Sequence, residues 1–274
     1  MDQQTVTLIT GANKGMGLEI ALELGQRGQT ILVGARNRER GQAAVTQLAE
    51  QGVQATFIQL DVTDATSIAQ AAQQIKTDYG YLSILINNAG AAFDQHQAPA
   101  TLPTSVMRRD FDINFFGLID VTQALLPLLL EAPAARIINI SSMMGSLTAS
   151  LMPGAETYRA SAVGYQASKA AANMFTVQLA KQLAATDAAI TVNAVDPGMV
   201  ATEFGGSSAA TAQARGAKTP AEGIARTVAL ATRPTLIQQP SPTHTGSFLG
   251  NTKRDEKTKL VFSSLSMRNR HYYS

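Results

Sequence analysis

Tyr165 and Lys169 stand four residues apart, so on a helix they share one face. A free tyrosine titrates near pH 10 and is a poor acid–base group at neutrality. A neighbouring ammonium favours the phenolate and is expected to lower that value. A phenol tuned in this way donates a proton to a developing alkoxide, or accepts one in the reverse direction. Ser142 lies 23 residues before Tyr165, directly after the β-branched run Arg136–Ser141. A hydroxyl at the carboxyl end of a strand is well placed to hydrogen-bond a substrate oxygen. Ser141 is the competing hydroxyl.

A second constellation lies near the N-terminus. The run Thr10-Gly11-Ala12-Asn13-Lys14-Gly15-Met16-Gly17 joins an aliphatic segment to a helical one. A turn that cradles a pyrophosphate needs glycines: the turn is tight, the backbone must approach the phosphates, and the helix must pack closely on the strand. The helix N-terminus then offers free N–H groups and a partial positive charge. A ribose-reading residue is expected about 20 positions further on. The chain has Gly34-Ala35-Arg36 there, with no carboxylate to accept from a 2′-hydroxyl. Arg36 offers a planar fork suited to a phosphate, and Lys14 adds a second positive charge. Together they predict NADP(H) rather than NAD as the cofactor.

These residues require a scaffold, and the chain alternates two textures that supply one. Short aliphatic runs at Val6–Thr10, Thr30–Gly34, Ala55–Leu60, Ile84–Asn87, Arg136–Ser141 and Ile190–Val195 read as buried parallel strands. Stretches of helical spacing lie between them: Leu18–Arg27, Arg38–Gln51, Ser67–Tyr79, Phe111–Leu130 and Gly164–Ala185. The alternation predicts an α/β fold, a single Rossmann-type doubly wound parallel sheet with helices on both faces. Residues 1–250 are expected to form one cofactor-binding and catalytic domain, and 251–274 a basic C-terminal tail.

The glycines at 11, 15 and 17 follow a Gly-x-x-x-Gly-x-Gly spacing. Asn87-Asn88-Ala89-Gly90 closes the fourth strand, Tyr165-Gln166-Ala167-Ser168-Lys169 forms a Tyr-x-x-x-Lys pair, and Asp196-Pro197-Gly198 is followed by Thr202. In this order the four motifs resemble the short-chain dehydrogenase/reductase family over about Val6 to Phe248. The stretch Thr10–Gly17, with Ala35-Arg36 and Gly41-Gln42-Ala43-Ala44-Val45, is most similar to its carbonyl reductase branch. The resemblance implies a catalytic set of Asn114, Ser142, Tyr165 and Lys169. Ser142 is favoured over Ser141 as the second serine of the pair, and Asn114 is expected to anchor a water in a proton relay with the lysine. It also implies cofactor contacts from Gly11, Asn13, Lys14, Gly15, Met16, Gly17, Arg36, Asp61, Val62, Asn88, Ala89, Gly90, Tyr165, Lys169, Pro197, Gly198, Val200 and Thr202. Asp61-Val62 is similar to the family's adenine-contacting pair, and Lys169 is expected to hold the ribose of the nicotinamide.

The expected reaction is transfer of a hydride from NADPH to the carbonyl of a small, fairly apolar aldehyde or ketone. Phe93, Met143, Met144, Met152, Tyr158, Met199 and Phe204 are candidates to line the pocket. The alternatives are a secondary-alcohol dehydrogenase using the same residues and a non-catalytic NADP-binding sensor. The intact Tyr–Lys pair argues against the sensor, and the glycine spacing argues against a sugar-nucleotide epimerase. The Ser142–Tyr165 interval exceeds the dozen or so residues of many family members, so residues 146–162 are expected to form a loop or short helix beside the pocket. A larger insertion there resembles the cover over the oligomer interface in monomeric carbonyl reductases; a homo-oligomer stays open here. Thr202–Lys218, rich in Gly, Ser and Ala, reads as a lid.

Composition bounds the remaining classes. The 274 residues are 45% hydrophobic and 15% charged, as in an ordinary globular protein. A net charge of +2 is too balanced to predict nucleic acid or an anionic membrane as partner. The absence of cysteine removes disulfides and thiolate chemistry and fits a reducing, cytoplasmic setting. No signal peptide is legible in Met1–Thr10, and the apolar stretch Ala124–Leu130, interrupted by Pro127, is too short to span a bilayer. The last 24 residues carry six basic against two acidic side chains, and they read as a solvated terminus.

Overall fold

The computed structural model describes residues 4–206 and 208–233. The basic tail, the Pro- and Gln-rich stretch 234–245 and His244 lie outside the described residues.

Among the described residues, six strands form one parallel sheet: β1 (Val6–Thr10), β2 (Thr30–Ala35), β3 (Ala55–Gln59), β4 (Ile84–Asn87), β5 (Ala135–Ile140) and β6 (Ile190–Val195). Their spatial order is β3-β2-β1-β4-β5-β6. The chain winds outward from β1 to β3, then returns to the other side of β1 at β4, which leaves a crevice at the carboxyl ends of β1 and β4. Ligands of open parallel sheets bind at such a reversal. The strands are aliphatic because both faces are covered. Ile68, Ile75, Val121, Leu125, Leu129 and Leu179 pack on one face. Ile20, Leu24, Leu48, Ile224 and Val228 pack on the other. The expected doubly wound fold is therefore the observed one.

The helices are α1 (Gly15–Gln26), α2 (Arg38–Glu50), α3 (Ala65–Tyr79), α4 (Thr104–Phe111), α5 (Gly117–Leu130), α6 (Leu147–Ser150), α7 (Glu156–Arg159), α8 (Val163–Ala184), α9 (Ala209–Ala214) and α10 (Pro220–Ala231). Helix α1 starts at Gly15, three residues before the predicted start, because the glycines themselves make its first turn. The helix expected to begin at Phe111 begins at Thr104 instead. Arg108, Arg109, Asp110 and Asp112 mask the apolar period there, and a π-turn at Asp112–Phe116 shifts the register before α5 continues. The continuous helix Thr104–Leu130 is thus long and apolar enough to match a membrane span, which the shorter stretch ending at Leu130 was not. Its inner face, including Leu118, Val121 and Leu125, is buried in the core.

Two excursions from the sheet flank the crevice. Residues 146–162 form α6 and α7, as expected of a loop with short helical turns, with Leu147 and Leu151 almost fully exposed. The second runs from β6 to α10 and is closed at its base. Ala201 N–H donates to Lys218 O (2.8 Å) and Lys218 N–H to Met199 O (2.9 Å). A small cluster of Ala201, Ala212 and Ala217 fills its inside.

Candidate active site

Two of the predicted catalytic residues meet through Gly90. A side chain at that position would lie 3.3 Å from Asn114 Oδ1 and 3.7 Å from Lys169 Nζ. Lys169, projecting from α8, is buried and donates to Ile140 O at the end of β5 (2.8 Å). Asn114, in the π-turn, is locked onto the loop after β4. Its Oδ1 accepts from Ala91 N–H (2.9 Å), and its Nδ2 donates to Ala91 O (2.8 Å) and Ser168 Oγ (3.0 Å). π-Turns of this kind recur at functional sites because they re-aim a side chain without ending the helix.

The two serines separate clearly. Ser141 is buried and its Oγ donates to Asn173 Oδ1. Ser142 keeps part of its surface open, caps the short turn Met143–Gly145 and acts on the Tyr165 hydroxyl. Helix α8 is held against this turn. A side chain on Gly145 would lie 2.8 Å from the Lys169 carbonyl carbon and 2.9 Å from Ala170 N.

The electrostatics of the pair differ from the sequence expectation. Burial pushes the Tyr165 phenol up to about 12, Ser142 pulls it down, and the charges of Asp196 and Asp110 raise it further. Burial also lowers Lys169 to about 8. The ammonium sits 5.8 Å from the centre of the Tyr165 ring. Desolvation outweighs it: the lysine loses part of its own charge, and the phenol stays protonated at neutral pH. The Phe204 ring approaches the Tyr165 ring to 5.7 Å between centroids and covers it from the β6–α10 segment.

The glycine turn has the shape a dinucleotide requires. Gly11 and Gly15 have φ of +66° and +57°. A side chain on Gly17 would lie 2.6 Å from Asn88 Nδ2 and 2.7 Å from Gly11 O. Lys14 is the N-cap of helix α1 and makes no side-chain cap, and no acidic residue stands in the first turn, so its N–H donors remain available. Ala12, buried between them, ties the turn to β2 through Gly34 O (3.2 Å). Asn13 and Met16 are half-buried on the turn. Thr202 stands opposite Gly15, with its Cγ2 3.6 Å from where a side chain would begin.

Several predicted contacts have structural duties. Asn88 N–H and Ala89 N–H both donate to Thr10 Oγ1 (3.0 and 2.9 Å), and Asn88 Nδ2 donates to Thr10 O (2.9 Å). Thr10, missed in the sequence, therefore joins the ends of β1 and β4; a hydroxyl closing an aliphatic strand was the only signal. Asp61 Oδ1 accepts from Thr63 N–H and Oγ1. Pro197 O accepts from Lys218 Nζ, Gly198 has φ +76°, and the Val200 side chain packs toward Gly223 of α10.

Arg36 and Val62 line one cleft of about 560 Å³ with Thr63, Phe93, Arg109 and Phe116. The Arg109 guanidinium stacks 3.9 Å from the Phe93 ring centre, which places Phe93 in this cleft. Lys14 does not line the cleft: its Nζ is paired with Glu203 Oε2 at 2.8 Å. Among the described residues no His, Asp and Glu cluster could hold a metal ion.

A parallel sheet with this reversal, a glycine cradle, and a Ser–Tyr–Lys–Asn cluster beside it define a dinucleotide-binding fold of the doubly wound class. The short chain dehydrogenase family profile matches residues 5–213. The chain belongs to the short-chain dehydrogenase/reductase family, on its carbonyl reductase-like side. It is 43% identical over 142 residues to the NADPH carbonyl reductase 1 of Macaca fascicularis, covering 51% of this chain and 49% of the relative. The chain thus spans about half the length of that relative. A short chain dehydrogenase from Shigella flexneri complexed with NADP superposes with TM-score 0.71 and 28% identity, over 84% of this chain and 92% of that one. An NAD⁺-bound xylitol dehydrogenase superposes with TM-score 0.63 and 30% identity, over 73% and 72%.

Proposed function

We infer that this protein is an NADPH-dependent reductase of small, fairly apolar aldehydes or ketones. The observation that carries this reading is the convergence of Lys169 and Asn114 on Gly90, at the crevice that the glycine turn opens onto. The residues present fit a dinucleotide: the turn has no room for side chains at Gly17, and the first turn of α1 is uncapped. When bound, the reduced nicotinamide supplies the hydride.

This chain's own groups do the rest. Backbone N–H groups of Gly15, Met16 and Gly17 would hold the pyrophosphate. Gly11 and Asn13 let the chain approach it, and Asn88, Ala89 and Gly90 form the facing wall. Arg36, with Lys14, favours a 2′-phosphate over a free hydroxyl. Asp61 and Val62 would hold the adenine end, and Pro197, Gly198, Val200 and Thr202 the nicotinamide end. Ser142 hydrogen-bonds the substrate oxygen, and Tyr165 gives its hydroxyl proton to the developing alkoxide. A phenol held near 12 is fully protonated at neutral pH, the form reduction needs. Lys169, near 8, has two N–H groups left after bonding Ile140 O for ribose hydroxyls and for the relay through Asn114. Phe204 packs against one side of the ring. The absence of cysteine accords with a cytoplasmic setting. The same residues run in reverse as an alcohol dehydrogenase, and the xylitol dehydrogenase likeness keeps that direction as the second reading.

The deciding assay is a panel of aldehydes, ketones and quinones with NADPH absorbance followed and NADH as control. Turnover of an apolar carbonyl with NADPH preferred is the expected result. Tight NADPH binding without turnover of any panel member, in either direction, would overturn the reading in favour of a sensor.

A further inference from the structure

The helix that carries Tyr165 and Lys169 starts on a carboxylate from outside it. Asp94, on the loop after β4, is buried; its Oδ1 accepts from Gly164 N–H (3.2 Å) and its Oδ2 from Tyr165 N–H (2.8 Å). The turn that presents it is held by Gln97 N–H donating to Asp94 O (2.9 Å). Gln95 and His96 adopt φ of +48° and +60° within it, an uncommon conformation for residues other than glycine. Asp94 is therefore held where it is by more than local preference.

A second carboxylate faces the first. Asp110 of α4 is completely buried, and its Oδ1 accepts from Phe93 N–H (3.0 Å). Its Oδ2 has no hydrogen-bond partner. A side chain on Gly164 would lie 2.8 Å from Asp110 Oδ2 and 2.8 Å from Asp94 Oδ1. The orphaned oxygen and the Asp94 oxygen thus border the same space over Gly164, at most about 5.6 Å from one another. A buried polar atom without a partner is costly, and two ionised carboxylates at this range repel.

We propose that Asp94 and Asp110 share one proton behind Tyr165, with neutral Asp110 donating its O–H to Asp94, and that this pair positions the start of the catalytic helix. The proton supplies the partner Asp110 Oδ2 lacks and leaves one negative charge at the N-terminus of α8, where the helix dipole favours it. A single glycine admits both carboxylates, which explains Gly164 directly before the tyrosine. The pair is distinct from the groups that touch substrate or cofactor and acts on them through the Tyr165 backbone.

The surroundings support the arrangement. Burial raises Asp110 to about 6, the Phe93 N–H and Arg109 pull down, and Asp94 pushes up. The charged and titratable groups facing Asp110 are Asp94 from the loop, Arg109 from its own helix and Tyr165 from α8. His96, in the loop, is exposed. Ionised Asp110 makes Tyr165 harder to ionise. Loss of the shared proton therefore adds a second charge at the helix start and weakens the phenol as a donor. Because the native value lies above the ordinary 3.8, the native state keeps a proton that the unfolded chain has lost between about pH 4 and 6. The stability lost on that account accumulates as pH rises through the window and is complete above it.

Asp110→Asn keeps the shape and a fixed N–H donor toward Asp94. The melting temperature of D110N should match that of the wild type at pH 4.5 and exceed it by several degrees at pH 7.5. The wild type should show an infrared band of a buried protonated carboxyl that disappears on titration near pH 6 and is missing from D110N. If D110N does not fold, Asp94→Asn removes the repelling charge, and the midpoint of the same band should move to lower pH. Kinetically, and resting on the reductase reading above, wild-type kcat should fall several-fold from pH 5.5 to 7.5 while D110N stays flat, with KM for NADPH unmoved in both. Melting curves of D110N and wild type that run parallel across pH, or an unchanged carboxyl band in D110N, would overturn the shared proton. The thermal and infrared results decide it even for a chain that turns over no carbonyl compound, so the two readings fail separately.

Discussion

Lys14 in the glycine turn is bound to Glu203, 189 residues later in the chain, with Nζ and Oε2 2.8 Å apart. Both side chains are largely exposed, and Lys14 holds the Glu203 carboxyl below its usual range. Exposed pairs of this kind contribute little to stability. A cofactor phosphate therefore competes with Glu203 for Lys14 at low cost. Glu203→Gln should lower KM for NADPH several-fold and leave KM for NADH unchanged in steady-state assays. The gain should shrink at high salt, because surface charges are screened.

Arg36 is the other half of the phosphate selection. It borders the cleft that Val62, Asp112 and Asp120 also line, and β2 itself carries no carboxylate. A hydrogen bond to a charged group contributes roughly 1.5–3 kcal/mol. Arg36→Ala should weaken NADPH binding by about 10- to 100-fold on that basis and barely move NADH. Titration of cofactor fluorescence measures both.

Tyr165→Phe removes the proton donor and retains the ring that packs against Phe204. General acid catalysis contributes about 10²- to 10⁴-fold, so kcat should fall by that factor. NADPH binding, followed by fluorescence, should persist. Loss of binding together with turnover would instead assign Tyr165 a structural role.

Lys169 gives a pH signature. Burial lowers it from 10.5 to about 8, so between those values the unfolded chain holds a proton the native state has released. Stability from this source rises with pH through that window, and the burial cost is fully present below it. The difference is on the order of 3 kcal/mol. Urea unfolding at pH 7.5 and pH 10 should show the wild type gaining on Lys169→Met at the higher pH. A constant difference between the two proteins would contradict the cost of burying that charge.

Much of this was legible in the residues themselves. Short aliphatic runs with no polar alternation, such as Ile84–Asn87, fit strands covered on both faces, and their regular alternation with longer helical stretches made the parallel sheet legible. The glycine turn and the Tyr165–Lys169 spacing were legible because both place strict demands on backbone shape. The start of the Thr104–Leu130 helix was not, since charged residues and a π-turn break its period. The tuning of Tyr165 was misread because spacing reports a neighbouring charge but not how deeply both groups are buried. The Asp94–Asp110 contact joins a loop to a helix whose approach is set by tertiary packing, and no local pattern announces it.

The seam at Gly145 has a further consequence. Because that residue lies flush against the backbone of Lys169 and Ala170, the spacing of Ser142 and Tyr165 is set before the chain enters 146–162. That segment can be lengthened, trimmed or exchanged without retiming the chemistry. An exchange confined to that cassette would leave the reaction centre intact.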